Sequence, residues 1–270
     1  MQSKPIVSVL MTAYNRRQYI GEAIDSVLAS TLTEFELVIV DDCSSDDTGE
    51  IAAAYAKKDS RVKVFKNKKN LGDYPNRNQA ASYAQGKYIK YLDSDDIMYP
   101  HCLQVMVQAM EKFSDAGYGL ASIVDLKRPY PACVDSKETY LEHFFGFGHF
   151  DRSPGSSIIK LDAFRQVGGF SGKRMIGDNE LWMTLSRYYP LVKFQRDLLW
   201  HRSHELQESK SDYAKQYAKL RAEALKEALK HPDCPLTTEE KDKIKKHLSA
   251  KKIKQKIKSI LYKQYLWTLM

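Results

Sequence analysis

The chain predicts an α/β fold: a mainly parallel central sheet flanked by helices, followed by a helical C-terminal extension. Three observations predict it. Short β-branched apolar runs alternate with segments of helical periodicity over roughly the first 110 residues, the pattern of strands joined by crossover helices. The runs are apolar throughout rather than at every second position, as in strands buried on both faces. Aspartate-rich polar clusters follow two of them and a polar Thr-Ala-Tyr-Asn segment a third, at the edge where the C-terminal ends of parallel strands gather and bind ligands.

The first strand is read over Ile6–Thr12, and the helix after it carries Tyr19, Ala23, Ile24, Val27 and Leu28 at helical spacing. Glu36–Val40 is the second strand. Asp46–Lys58 is the second helix, with Ser45 or Asp46 as its N-cap, and Arg61–Phe65 the third strand. A helix over Asn78–Gln85, a strand over Lys87–Leu92 and a helix over Tyr99–Phe113 complete the alternation. Beyond Asp115 the pattern turns irregular, with loops at 117–119, 128–131 and 144–148 marked by glycine, proline and aromatic residues. Ser156–Lys160 reads as a strand, Leu161–Val167 as a short helix stopped by Gly168-Gly169, and Asp178 stands at or just before the start of another helix. Ser211–Lys230 is helical, and Thr237-x-x-Glu240 has the spacing of a capping box. The expected organisation is a main domain over 1–209, with halves at 1–115 and 116–209, and an extension over 210–270.

The formal charge of +8 divides unevenly. Residues 210–270 hold 16 Lys and Arg against 7 Asp and Glu, while residues 1–209 hold 26 against 27. The body therefore carries no basic field for a polyanion, and no nucleic-acid partner is expected. Cys43, Cys102, Cys133 and Cys234 lie far apart without a CxxC pair, which points away from a zinc site or disulfide framework and towards reduced thiols in a cytoplasmic protein. Neither a signal sequence nor an apolar stretch of the roughly 20 residues needed to span a bilayer is expected.

Thr12-Ala-Tyr14-Asn15, Asp41-Asp42 and Asp93-Ser-Asp95-Asp96 should converge on one crevice. The first turn lacks GxGxxG and the chain lacks GxxxxGK[ST], so neither a dinucleotide site nor a P-loop is indicated. A nucleotidyltransferase is the rival enzyme class, but Thr12–Arg17 lacks the glycines its phosphate loop needs; a nucleotide-sugar-binding subunit without turnover is the other rival. Five carboxylates near one edge repel one another unless a cation or donors compensate. Helix capping accounts for one or two of them. A hard divalent cation, Mg²⁺ or Mn²⁺, held by one or two carboxylates and completed by substrate phosphates accounts for the cluster.

Val7-Ser-Val-Leu-Met-Thr12-Ala-Tyr14-Asn15, Leu37-Val-Ile-Val-Asp41-Asp42-Cys-Ser44, Asn70-Leu-Gly72 with Arg77-Asn78, and Gly86-Lys-Tyr-Ile-Lys-Tyr-Leu-Asp93-Ser-Asp95-Asp96 resemble the successive motifs of family 2 glycosyltransferases. Gly168-Gly169-Phe170 and Gly177-Asp178-Asn-Glu180-Leu181-Trp182 resemble that family's second block, and the likeness spans residues 6–209. The resemblance implies a glycosyltransferase A-type fold that binds a nucleotide-sugar, usually a UDP-sugar, with a divalent metal on its diphosphate. It implies that Thr12, Tyr14, Asp41 and Asp42 border the nucleotide, that Asp93 reaches the ribose or the metal, and that Asp95 is the principal metal ligand. Within Trp200-His201-Arg202-Ser203-His204, it implies that His204 completes the metal shell, which would favour Mn²⁺, with His201 the fallback. It makes Asp178 the general base of an inverting transfer to a glycan or polyprenyl-linked acceptor. The same Asp178 could serve as a helix cap, Tyr14 as a core aromatic, Arg77 as a solvated or phosphate-binding side chain, and one of Asp41 and Asp42 as an Asx-turn. Gly177 departs from the family, which often has an acidic residue there.

From Lys243 onward there are nine lysines and no acid, interleaved with Ile253, Ile257, Ile260 and Leu261 on one helical face and with terminal aromatics. Two readings stand: a helix packed on the catalytic domain with its lysines in water, or a peripheral helix over 243–270 lying on an anionic cytoplasmic membrane face.

Overall fold

The computed structural model describes residues 4–250 apart from 122–124, 126, 147, 206, 208 and 209. Strands β1 (Val7–Ala13), β2 (Phe35–Asp41), β3 (Val62–Lys66) and β4 (Tyr88–Tyr91) alternate with helices α1 (Ile20–Leu28), α2 (Thr48–Lys58) and α3 (Asp73–Ser82). Then come the two-residue β5 (Ile97–Met98), α4 (Cys102–Lys112), β6 (Tyr118–Leu120), β7 (Ala132–Val134) and α5 (Ser136–Phe145). After 3-10 turns at His149–Asp151 and Pro154–Ser156 follow β8 (Ser157–Lys160), α6 (Leu161–Gln166), α7 (Gly177–Tyr188), β9 (Leu191–Lys193), β10 (Leu199–Trp200) and α8 (Tyr217–Lys230). Residues 238–250 are helical.

The main sheet runs β3-β2-β1-β4-β8-β6-β9-β7. Its first four strands are mutually parallel, as the apolar runs predict. Beyond β4 the sheet is mixed: β8 pairs antiparallel with β4 and β6, β9 runs parallel to β6, and β7 antiparallel to β9. Short strands without long crossovers between them allow the antiparallel joins. The period-two alternation of each strand divides the core between two faces. Val7, Val9, Met11, Leu37 and Ile39 pack with α1, α2 and α4, whereas Leu10, Val38, Val40, Ile89 and Tyr91 pack with α3, α5, α6 and α7.

One sequence expectation is corrected. Helix α3 starts at Asp73, not Asn78: Pro75 falls in the first turn, where a missing N–H costs no hydrogen bond. The extension is helical, and up to residue 250 it packs on the body, one of the two arrangements the sequence allows. Ala224, Leu225, Ala228, Leu229, Leu236 and Ile244 are buried in the same cluster as Tyr118 and Trp182. The capping box forms, Thr237 N–H donating to Glu240 Oε2 at 2.9 Å and Glu240 N–H to Thr237 Oγ1 at 3.3 Å. Of the proposed membrane segment, residues 251–270 lie outside the described residues. Among those described, no helix is long and apolar enough to cross a membrane.

Candidate functional site

A cleft of about 1200 Å³ opens along the C-terminal edge of β1, β2 and β4, large enough for two ligands side by side. Thr12 and Tyr14 line it from the end of β1, and the Tyr14 ring is 47% exposed, an aromatic face open to the cleft rather than a core side chain. Asn15 holds this loop in the left-handed region (φ 52°); its N–H donates to Ser44 Oγ at 3.0 Å and its Oδ1 accepts Ser45 N–H at 2.9 Å. Asparagine tolerates that conformation better than most residues.

The two aspartates that end β2 separate in role. Asp42 lines the cleft, and its carboxylate accepts Asn67 Nδ2 (2.7 Å), Leu71 N–H (2.9 Å) and Gly72 N–H (2.9 Å). Those bonds use three of its four lone-pair positions and leave one on Oδ2. Gly72 reaches this aspartate from φ 84° at the N-cap of α3, a conformation glycine adopts without strain. Asp41 is not in the cleft: it is 1% exposed, accepts Ser44 N–H at 2.9 Å, and its Oδ2 lies 3.4 Å from Lys66 Nζ. Asp41 is thus the turn-forming member of the pair, and its expected place at the nucleotide is corrected.

Arg77 lines the cleft but is not a solvated side chain. It is 6% exposed, with Nε donating to Asp73 at 2.7 Å and Nη2 to Asp93 at 2.6 Å. Burial raises the Asp93 carboxyl, but the Arg77 charge and hydrogen bond outweigh it and hold the group below the usual carboxylate range. Asp93 therefore lines the cleft as a fixed anion.

The antiparallel pairing of β10 with β5 carries residues 201–204 back over the 93–96 turn. His204 Nε2 donates to Asp95 Oδ2 at 2.9 Å, both side chains being about nine-tenths buried, and its ring stacks on Tyr19 at 4.9 Å. Arg16 Nε reaches the same Asp95 oxygen at 3.1 Å. Asp96 anchors the returning segment, accepting His201 Nδ1 (2.7 Å) and Arg202 N–H (3.0 Å), while Arg202 Nε donates to the Asp95 carbonyl at 2.9 Å. The hydrogen bond to Asp96 raises the His201 pKa.

As a divalent-cation site this arrangement fits with two protein ligands. One carboxylate and one imidazole converge at Asp95 and His204, an acceptable pair for Mn²⁺ whose other positions go to phosphate and water. Among the described residues no three or more His, Cys, Asp and Glu side chains are grouped to hold a metal. Asp93 lines the same cleft with its Oδ1 engaged by Arg77, so it meets a cation, if at all, through Oδ2.

Asp178, the second residue of α7, lines the other part of the cleft. Burial pushes its carboxyl up to about 7, although the Asn179 N–H, the Tyr74 hydroxyl and the charge of Arg77 oppose the shift. Asn179 N–H lies 2.8 Å from its Oδ1, so part of the capping role is real. A carboxylate near 7 is also matched to accepting a proton at neutral pH.

The extension supplies part of the wall, since Ala214 and Tyr217 line the cleft. Asn179 Nδ2 lies 3.4 Å from Tyr217 Oη and 3.2 Å from Asp151 Oδ1, and Arg221 Nη2 donates to Asp151 at 2.6 Å. Sequence reasoning missed Tyr74, Arg16, Asp73, Asn179 and Tyr217. The neighbouring Asn70-Leu-Gly72 motif marked the region of Tyr74 and Asp73, and the 177–182 block that of Asn179; Arg16 and Tyr217 carried no signal.

The family described as Glycosyl transferase family 2 matches residues 8–168. A Bacillus subtilis protein named for teichuronic acid biosynthesis, TuaG, is 40% identical over 121 residues, 43% of this chain and 48% of that protein. The B. subtilis protein named glycosyltransferase EpsE is 39% identical over 200 residues, 68% of this chain and 67% of EpsE. The chain thus spans about half the length of TuaG and two thirds of EpsE. The S. aureus TarS structure in complex with UDP-GlcNAc superposes with a TM-score of 0.71 at 21% identity, over 88% of this chain and 70% of that one. With its parallel β3-β2-β1-β4 half, its aspartate-lined edge and these relatives, the chain belongs to glycosyltransferase family 2 and has the glycosyltransferase A-type fold.

Proposed function

We propose that this protein is a metal-assisted, inverting glycosyltransferase that moves a sugar from a UDP-sugar to a hydroxyl of a glycan or polyprenyl-linked glycan in cell-surface polysaccharide assembly. The observation that carries it is one cleft lined by both Asp95, which His204 meets from behind at 2.9 Å, and Asp178, whose carboxyl is raised to about 7. The names of TuaG and of the UDP-GlcNAc-bound TarS support the polymer class and the donor.

Tyr14 offers its exposed ring for stacking on the base, and the free lone pair of Asp42 accepts a base N–H. Asp93, kept ionised by Arg77, accepts from the ribose. Asp95 and His204 would hold Mn²⁺ or Mg²⁺, which supplies charge stabilisation to the departing diphosphate. Asp178 takes the proton of the acceptor hydroxyl as that oxygen attacks C1 opposite the diphosphate, and a single displacement inverts the anomeric centre. The enzyme works in the cytoplasm, held at the membrane face through the lysine-rich sequence that follows residue 250.

The test is a thermal-shift screen of nucleoside diphosphates and their sugars with and without Mn²⁺. Stabilisation by a uridine ligand that grows with Mn²⁺ is expected. A response to no nucleotide would overturn the reading, and a metal-independent one would remove Asp95 and His204 from it.

A further inference from the structure

We propose that Lys90 is a positioning residue: it fixes the turn over 152–156, a cleft wall tied both to the strand that leads into Asp93 and Asp95 and to the helix that carries Asp178. The proposal rests on the reading of the cleft as the transfer site. Lys90 stands in β4, three residues before Asp93, and is completely buried. Its Nζ donates to the Tyr91 carbonyl at 2.6 Å and to the Gly155 carbonyl. Its acceptors are thus backbone oxygens, and among the described residues no carboxylate pairs with it. An ammonium taken out of water without a paired anion is costly, and burial draws the Lys90 pKa down from the ordinary lysine value. A methionine would fill the space without that cost; what the lysine adds is the tether to Gly155.

Gly155 lies in the 3-10 turn Pro154–Ser156, and Ser153 and Pro154 line the cleft. The other end of the same stretch is held from α7, where Trp182 Nε1 donates to the Arg152 carbonyl at 2.6 Å. Trp182 follows Asp178 by four residues, one turn along that helix. Between the two tethers the stretch is closed by its own backbone, Ser156 N–H donating to the Ser153 carbonyl at 3.0 Å. A Cβ on Gly155 would lie 3.7 Å from His201 Cε1, so the turn also borders the returning 201–204 segment. Transfer needs the anomeric carbon held between a diphosphate at Asp95 and an acceptor oxygen at Asp178, and a misplacement of about 1 Å can cost about 10²-fold in rate. The turn joins the elements that carry those two ends, and Lys90 sets its place without touching substrate.

The experiment uses the full chain, Mn²⁺ and the nucleotide-sugar that gives the largest Mn²⁺-dependent thermal shift, with water as the acceptor. Nucleoside diphosphate release is measured for wild type, Lys90→Met, Trp182→Phe and the double variant. Each single variant cuts one tether and should lose about tenfold in kcat, with the donor KM within about twofold of wild type. The double variant should be no slower than the slower single one, because both tethers serve one turn. Losses that multiply would overturn the proposal. Trp182→Phe reads the turn without needing a folded Lys90 variant, and a normal kcat there overturns the proposal by itself. Hydrogen exchange of the Trp182 indole N–H, assigned by NMR through its absence in Trp182→Phe, follows the turn without turnover. It should be about tenfold faster in Lys90→Met, and unchanged exchange would remove the tether. If Asp178→Asn retains release, the reading of the cleft has failed instead; the indole exchange still reports on the turn, so the two failures are distinguishable.

Discussion

Replacing Asp178 by asparagine should slow the enzyme and stabilise the fold, and the second effect depends on pH. An aspartate that titrates near 7 when folded and near 3.8 when unfolded reduces the stability of the fold by up to about 4 kcal/mol once both states are ionised. Residual solvent at the cleft wall reduces this to about 2 kcal/mol. Because the folded pKa is raised, the folded state still holds a proton between pH 3.8 and about 7 that the unfolded chain has released. Stability therefore falls as pH rises through that window, with the full cost present above about 7 and none below 3.8.

Asp178→Asn removes the charge and keeps the shape. In the absence of donor, its melting temperature should exceed that of wild type by about 4–8 °C at pH 8 and equal it at pH 4, measured by calorimetry. Transfer should fall by about 10²–10⁴ while donor binding persists, and wild-type kcat/KM should rise with pH through about 7. An equal shift at both pH values would refute a titrating origin. Destabilisation at pH 8 would refute the cost altogether and leave Asp178 as a helix cap.

Three further outcomes are expected. Asp95→Asn and His204→Ala should each weaken Mn²⁺ binding by at least about tenfold in calorimetric titrations with UDP present, whereas Asp93→Asn should leave metal affinity close to wild type because Asp93 is committed to Arg77. Lys193, 1% exposed, donates to the buried Asp125 and to Glu142 at 2.9 Å, so Lys193→Met should cost about 3–5 kcal/mol in urea unfolding; an unchanged midpoint would mean that the uncovered carboxylates find other partners. Full-length protein should partition onto anionic vesicles in a salt-sensitive manner and a 1–250 chain should not; residue 250 is the correct cut because Ile244 lies in the core, and equal partitioning would rule out the membrane role of the terminal lysines.

The elements of the first half were legible because their cues are local. Apolar β-branched runs mark β1 to β4, and the carboxylates that follow β2 and β4 stand within a few residues of those runs. His204 was singled out through the resemblance of the Trp200–His204 segment, and the antiparallel β5–β10 pair sets that segment beside Asp95. What escaped depends on pairing across the chain. Asp41 and Asp42 look alike in sequence, yet the pleat sends adjacent side chains to opposite faces, one beneath α2 and one into the cleft. Beyond residue 115 the strands are three or four residues long, too short for periodicity to declare their direction.

The most consequential miss was a helix boundary. Starting α3 at Asn78 instead of Asp73 leaves the topology intact, but it removes Asp73, Tyr74 and Arg77 from the helix. With the correct start, Asp73 and Arg77 stand at i and i+4 and pair at 2.7 Å, Arg77 extends to Asp93, and Tyr74 packs against Gly177, the residue before Asp178. One helical turn then links the anion expected at the donor's ribose to the carboxylate expected to take the acceptor's proton. The first turn of α3 is consequently the segment where a small displacement should disturb both ends of the reaction together, and a glycine at 177 is intelligible only once the ring opposite it is in place.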